Sequence, residues 1–141
     1  MSRPIQPPLP GPNDQRAPAP LVVAASLAGL EALLLVLFGI AELRSLSVSK
    51  ATMGITTSMF FAVYGLGLGY CAFQLRRLES WARAPIVLAQ LIQLGVAWSF
   101  RGGDTTFVAV ALAVVALLTL VAVFHPASLR ALADEDADEA R

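Results

Sequence analysis

The 141-residue sequence is short of charge, cysteine and histidine, and each shortage excludes a class of protein. Charged residues make up 14% of the chain, whereas soluble domains carry about 25%. Ten basic residues balance ten acidic ones, so no basic excess points to a nucleic acid partner. One cysteine excludes an internal disulfide framework, and with one histidine we expect neither a metal site nor another cofactor.

Hydrophobic residues, by contrast, are abundant at 57%, and most of them lie in four long runs. A helix that crosses a bilayer needs roughly 20 apolar residues, and its backbone must satisfy its own hydrogen bonds. The sequence therefore predicts an all-α fold, a four-helix transmembrane bundle formed by residues 21–126. The expected spans are about 21–42, 51–75, 82–100 and 105–125.

Two polar tails flank the predicted bundle. Residues 1–20 hold seven of the nine prolines, which predicts an extended, disordered tail, and we favour a passive tail over a proline-rich ligand. Residues 127–141 are acidic and are also expected to be disordered. With the N-terminus inside, seven Lys and Arg lie on the inner side and three on the outer side. This bias predicts that both termini of the membrane protein lie in the cytoplasm.

The second span carries small residues at intervals of three or four, which places them on one helix face. Lipid gives helices no hydrophobic reason to associate, so close packing depends on small side chains. The face packs inside the bundle or forms the seam of a homodimer, and we favour packing inside the bundle. The principal members of this small-residue stripe are Ser58, Ala62, Gly65, Gly69 and Ala72.

Glu31 is the one formally charged residue within an apolar run. It lies ten residues into the first span, about 15 Å deep at roughly 1.5 Å per residue, which is close to the bilayer midplane. An ionised carboxylate facing lipid there is costly, so Glu31 should face protein or water and be hydrogen-bonded. Tyr64, Gln90 and Gln93 lie at similar depth in other spans. We expect these four residues to form one buried polar cluster.

Two interpretations of this cluster stay open. In the functional one, Glu31 takes up a proton or binds a cation, because ionisable residues inside membranes usually serve transport. In the structural one, a carboxyl–amide hydrogen bond fixes the register of the helices. The sequence has no Ser/His/Asp set, metal-ligand cluster or phosphate-binding loop, so we expect no catalytic residues and no enzymatic activity.

One segment of the chain runs from Ser80-Trp81-Ala82-Arg83-Ala84-Pro85 to Trp98-Ser99-Phe100-Arg101-Gly102-Gly103. In this segment the chain resembles small four-span integral membrane proteins of high-GC actinobacteria, a group with no assigned function. The resemblance covers most of the membrane part, and it implies a multi-pass protein of the bacterial plasma membrane.

A weaker resemblance is to the small multidrug resistance transporters, which have four helices and a membrane-embedded Glu in the first span. It implies that Glu31 is a shared proton and substrate site and that Tyr64 is an aromatic wall of the pocket. The sequence departs from that family after Glu31, where Ala-Leu-Leu-Leu follows.

Together these observations favour an accessory or structural multi-pass membrane protein that acts through helix–helix contacts. The alternative is a small proton-coupled transporter that uses Glu31. The expected partners are the lipid bilayer and either a second copy of the chain or another membrane protein.

Overall fold

The computed structural model describes residues 16–44 and 51–141, and every regular element in them is helical. The all-α class predicted from the sequence is therefore confirmed. The predicted proline-rich tail lies largely outside the described residues. The helices are α1 (Ala19–Arg44), α2 (Ala51–Arg76), α3 (Arg83–Ser99), α4 (Thr106–Val123) and α5 (Pro126–Glu139).

Helices α1 and α2 form the most closely packed pair, because small residues face each other along their contact. A Cβ atom built at Gly65 would lie 2.9 Å from the carbonyl oxygen of Ala32. One at Gly39 would lie 3.0 Å from the carbonyl oxygen of Ser58, and one at Gly69 would lie 3.4 Å from Ala32 Cβ. The small-residue stripe of α2 therefore packs against α1 within the chain.

The four long helices form a ring in chain order. Helix α1 contacts α2 on one side and α4 on the other, while α3 contacts α4 extensively and α2 less. Helices α1 and α3 consequently face each other diagonally across the bundle. This placement decides which side chains meet at its centre.

Residue size is distributed unlike that of a soluble protein, because alanines predominate among the buried apolar residues and many large apolar residues are exposed. Ala24, Ala28 and Ala116 are fully buried, whereas Leu66 is 66% exposed and Phe107 is 83% exposed. An apolar exterior around a core of small residues suits a bilayer. Lipid is as apolar as the large side chains, so burying them in the protein brings no hydrophobic free energy. Three helices are long and apolar enough to cross a membrane, which indicates a membrane protein: Ala19–Arg44, Gly54–Arg76 and Thr106–Val123.

Helix α3 is shorter than the span expected over residues 82–100. Its 17 residues reach about 26 Å at roughly 1.5 Å per residue, which makes it the shortest of the four long helices. The preceding residues, Ser80–Ala82, form a 3-10 turn instead of a first α-helical turn. By length and composition, the structure therefore gives three candidate spans and not the expected four.

The expectation of a disordered tail at residues 127–141 is wrong, because α5 occupies most of this segment. Pro126 opens the helix, where its missing N–H costs nothing, and the Nδ1 atom of His125 accepts a hydrogen bond from the Ala127 N–H at 3.2 Å. The Ser128 hydroxyl donates to the Ala122 carbonyl oxygen at 2.8 Å, and Leu132 is only 3% exposed. Capping and packing therefore hold this segment despite its acidic composition.

We expect Gly65→Ala to destabilise the bundle. The added methyl group would clash with the backbone oxygen of Ala32, and overpacking of this kind costs about 1–3 kcal/mol. The free energy of unfolding is measured by titrating the detergent-solubilised protein with sodium dodecyl sulfate and following helicity by circular dichroism.

Gly67→Ala is the matched control, since no atom lies within 4 Å of a Cβ built at Gly67. Alanine is the better helix former, so this variant should equal the wild type or gain up to about 1 kcal/mol. Equal losses in the two variants would show that the contact of Gly65 with α1 does not stabilise the bundle.

Candidate functional site

The carboxyl group of Glu31 is buried in the bundle and hydrogen-bonded through both of its oxygens. The Gln90 Nε2 atom donates to Glu31 Oε2 at 2.6 Å, and the Gln93 Nε2 atom donates to Glu31 Oε1 at 3.1 Å. Glu31 is 8% exposed and Gln90 is fully buried. The structure thus brings together three of the four residues of the predicted polar cluster.

Helix geometry explains why these side chains meet. Gln90 and Gln93 are three residues apart, so they project from the same face of α3. On α1, Ala28 and Ala32 flank Glu31 on the buried face, at 0% and 4% exposure. The two hydrogen bonds connect the diagonal helices α1 and α3.

Gln93 extends the cluster to a third helix. Its Nε2 atom also donates to the carbonyl oxygen of Leu112 in α4, at 3.1 Å. A backbone oxygen carries two lone pairs, so it can accept this bond in addition to its helical one. Sequence reasoning missed Leu112, because every residue has a carbonyl group and nothing in the sequence singles out this one.

Tyr64 is not hydrogen-bonded to the carboxyl group of Glu31. Its ring instead stacks on Phe60, with centroids 5.8 Å apart and an angle of 8° between the ring planes. Tyr64 lines a groove of about 350 Å³ between α2 and α3, with Pro85 on the opposite wall. Its depth was predictable from the sequence, but the rotation of α2, which decides whether its hydroxyl group reaches Glu31, was not.

The hydrogen bonds of the cluster have a definite polarity. Both glutamines donate, and a carboxylate anion can only accept, so the observed arrangement suits ionised Glu31. The Oε1 atom of Gln90 is buried and has no hydrogen-bond partner among the described residues. A half-turn of this amide would present Oε1 to a protonated Glu31, whose O–H can donate. The same residues can therefore bind the carboxyl group in either protonation state.

A cavity of about 440 Å³ between α1 and α4 reaches this cluster from the side. Glu31 and Gln93 are the polar residues of its lining, and Leu34, Phe38 and Phe107 are among the apolar ones. Its volume falls in the range of roughly 300–1,000 Å³ that is usual for small-molecule pockets.

No second charge accompanies Glu31 in the part of the chain that the structure describes. Within residues 16–44 and 51–141, no Lys or Arg forms an ion pair with it, and no three His, Cys, Asp or Glu are grouped for a metal ion. The chemistry available at the site is thus that of one carboxyl group and two amides.

We expect Gln90→Leu to destabilise the protein, because it removes one of the two donors to a buried carboxyl group. Leaving such a group without its partner costs about 1–3 kcal/mol. The same detergent titration measures the loss in the free energy of unfolding.

Gln74→Leu is the matched control, because Gln74 is half-buried near the end of α2 and lies outside the cluster. This variant should stay within about 0.5 kcal/mol of the wild type. A Gln90→Leu protein that unfolds at the wild-type midpoint would show that the hydrogen bond to Glu31 does not stabilise the bundle.

No model of a known protein family matches the chain, and no curated protein or solved structure matches it significantly. The two resemblances drawn from the sequence therefore stay predictions, and the function has to be argued from the geometry of the cluster.

Proposed function

We propose that this chain is an accessory or structural protein of a bacterial plasma membrane that acts through helix–helix contacts. The observation that carries the proposal is the hydrogen-bonding of Glu31, whose oxygens are both engaged by amides from another helix. Such an arrangement fixes the register of α1, α3 and α4 relative to one another. A structural protein that acts through helix–helix contacts requires helices in fixed relative positions. The proposal includes no enzymatic activity.

The proposal takes α3 as a fourth span. Together with the 3-10 turn Ser80–Ala82, the segment reaches the roughly 20 residues that a bilayer requires. Trp81 and Trp98, which are 48% and 67% exposed, lie near its two ends, where amphipathic rings favour the membrane interfaces. In this proposal both termini are cytoplasmic, which the excess of Lys and Arg on that side of four spans supports.

The partner in this proposal is a second copy of the chain or another membrane protein. The apolar exterior of the bundle supports it, since it offers large side chains for contact with a neighbouring helix. Leu66, Met59 and Val121, for example, are each at least 66% exposed.

A second function, proton-coupled transport through Glu31, is supported by two different observations. One is the unpartnered oxygen of Gln90, which allows the cluster to hold a protonated carboxyl group. The other is the cavity between α1 and α4, whose lining includes Glu31. A transporter must open this site to each side of the membrane in turn, so the two functions differ in whether protons cross.

We expect both termini and the turn around Glu79 to be cytoplasmic, because the dense basic loop between α2 and α3 sets the orientation. Alkaline phosphatase and green fluorescent protein are fused after Glu79, Gly103 or Arg141. Only the fusion at Gly103 should give phosphatase activity, and only the other two should fluoresce. Phosphatase activity of the fusion at Arg141 would contradict the four-span topology.

Flux measurements separate the two functions. Wild type and Glu31→Gln are reconstituted in proteoliposomes with an internal pH dye, with Glu79→Gln as a control that removes a carboxylate outside the apolar spans. A scaffold should give the same proton leak in all three, equal to that of protein-free vesicles. A wild-type flux that Glu31→Gln abolishes and Glu79→Gln retains would overturn the scaffold proposal in favour of transport.

A further inference from the structure

The turn between α3 and α4 is held in one conformation by its own residues. Gly102 and Gly103 adopt positive φ angles of 126° and 63°, which disfavour residues with a Cβ atom. The hydroxyl group of Thr106 accepts a hydrogen bond from the Gly102 N–H at 3.1 Å and donates to the Gly103 carbonyl oxygen at 2.9 Å. The turn thereby fixes the backbone at the preceding residue, Arg101.

The side chain of Arg101 lies flat against an aromatic ring. Its guanidinium carbon is 3.3 Å from the ring centroid of Trp98, a close cation–π contact. Within the described residues, Arg101 forms no ion pair, and its nearest acidic neighbour in sequence, Asp104, is exposed. The stacking holds a positive charge at the end of α3 without neutralising it.

Below this charge, an apolar groove of about 400 Å³ runs between α3 and α4. It exists because three alanines lie where the two helices meet, and two of them, Ala97 and Ala109, are each 5% exposed. Arg101 is the one charged residue in its lining. The apolar walls are formed by Leu94, Ala97, Ala109, Val110 and Ala113.

We infer that this groove binds an anionic phospholipid, with one acyl chain between α3 and α4 and the phosphate on the guanidinium group of Arg101. Charge complementarity argues for this occupant. The groove has apolar walls inside the bilayer and one unneutralised cation at its interfacial end. These features match the acyl chain and the phosphate group of a phospholipid. Guanidinium groups bind phosphate oxygens through two parallel hydrogen bonds. The inference rests on the proposed placement of α3 as a span.

The test uses the full chain in phosphatidylcholine proteoliposomes that contain a small fraction of phosphatidylglycerol with a photoreactive diazirine on one acyl chain. After illumination, peptide mass spectrometry locates the labelled residues. We expect labelling of the groove to be about fivefold stronger with this probe than with the corresponding photoreactive phosphatidylcholine, given the usual attraction of one Arg for anionic lipid. Equal labelling by the two probes would overturn the inference.

Two pairs of variants localise the effect. Arg101→Gln should lower the labelling by phosphatidylglycerol to the phosphatidylcholine level, whereas Arg77→Gln should not, although Arg77 also lies over a ring, 4.6 Å from the centroid of Phe73. Ala113→Leu should displace the chain by filling the groove. Val114→Leu, at an exposed position outside the groove lining, should leave the labelling unchanged. Circular dichroism confirms that each variant is folded.

The pattern of labels also separates failure of this inference from failure of the four-span topology. If α3 spans the membrane but holds no lipid, its lipid-facing residues Leu88 and Ile92 are labelled as strongly as the groove, which overturns the inference alone. If α3 lies outside the bilayer, neither Leu88 and Ile92 nor the groove residues of α3 are labelled. That result overturns both the lipid site and the four-span topology. Displacement of the probe by inorganic phosphate would also overturn the inference, because it would identify a site for free anions.

Discussion

A carboxyl group near the middle of a bilayer must find hydrogen-bond partners inside the protein, and much of this bundle follows from that need. Neither oxygen of Glu31 is left to the lipid, since the two amides of α3 bind one each. Those amides reach the carboxyl group only because the helices approach closely. Close approach in turn requires the small residues that line the bundle interior, such as Ala28 and Ala32.

The candidate site was largely predictable because polar residues are rare in apolar spans. The depth of a residue in the membrane follows from its position along a helix. The sequence alone therefore predicted that Glu31, Gln90 and Gln93 lie at similar depth. Rotation of a helix about its axis cannot be counted in the same way, so the sequence did not reveal that Tyr64 lies outside the hydrogen bonds of the cluster. The contribution of the Leu112 carbonyl group depends on packing alone.

The fold was predictable where it depends on hydrophobicity, and less so where it depends on local capping. The small-residue stripe of α2 indicated a packing face, but the complementary Gly39 of α1 emerged only from the structure. The bounds of α3, Arg83–Ser99, lie within one residue of the expected 82–100, although the 3-10 turn Ser80–Ala82 before it was not predictable. Composition predicts disorder for the acidic segment after Pro126, because it does not reveal that Leu132 packs on the bundle.

The separation of Glu31 from its partners along the chain has a consequence for biogenesis. The donors follow it by 59 and 62 residues, so a ribosome completes α1 before it begins α3. Before α3 is made, a nascent hairpin of α1 and α2 lacks both amides, and an unpartnered carboxylate is costly in hydrocarbon. The nascent hairpin must therefore keep Glu31 neutral or hydrated, for example at the insertion machinery, until α3 arrives. Arrival of α3 then completes the hydrogen bonding and commits the chain to its final arrangement.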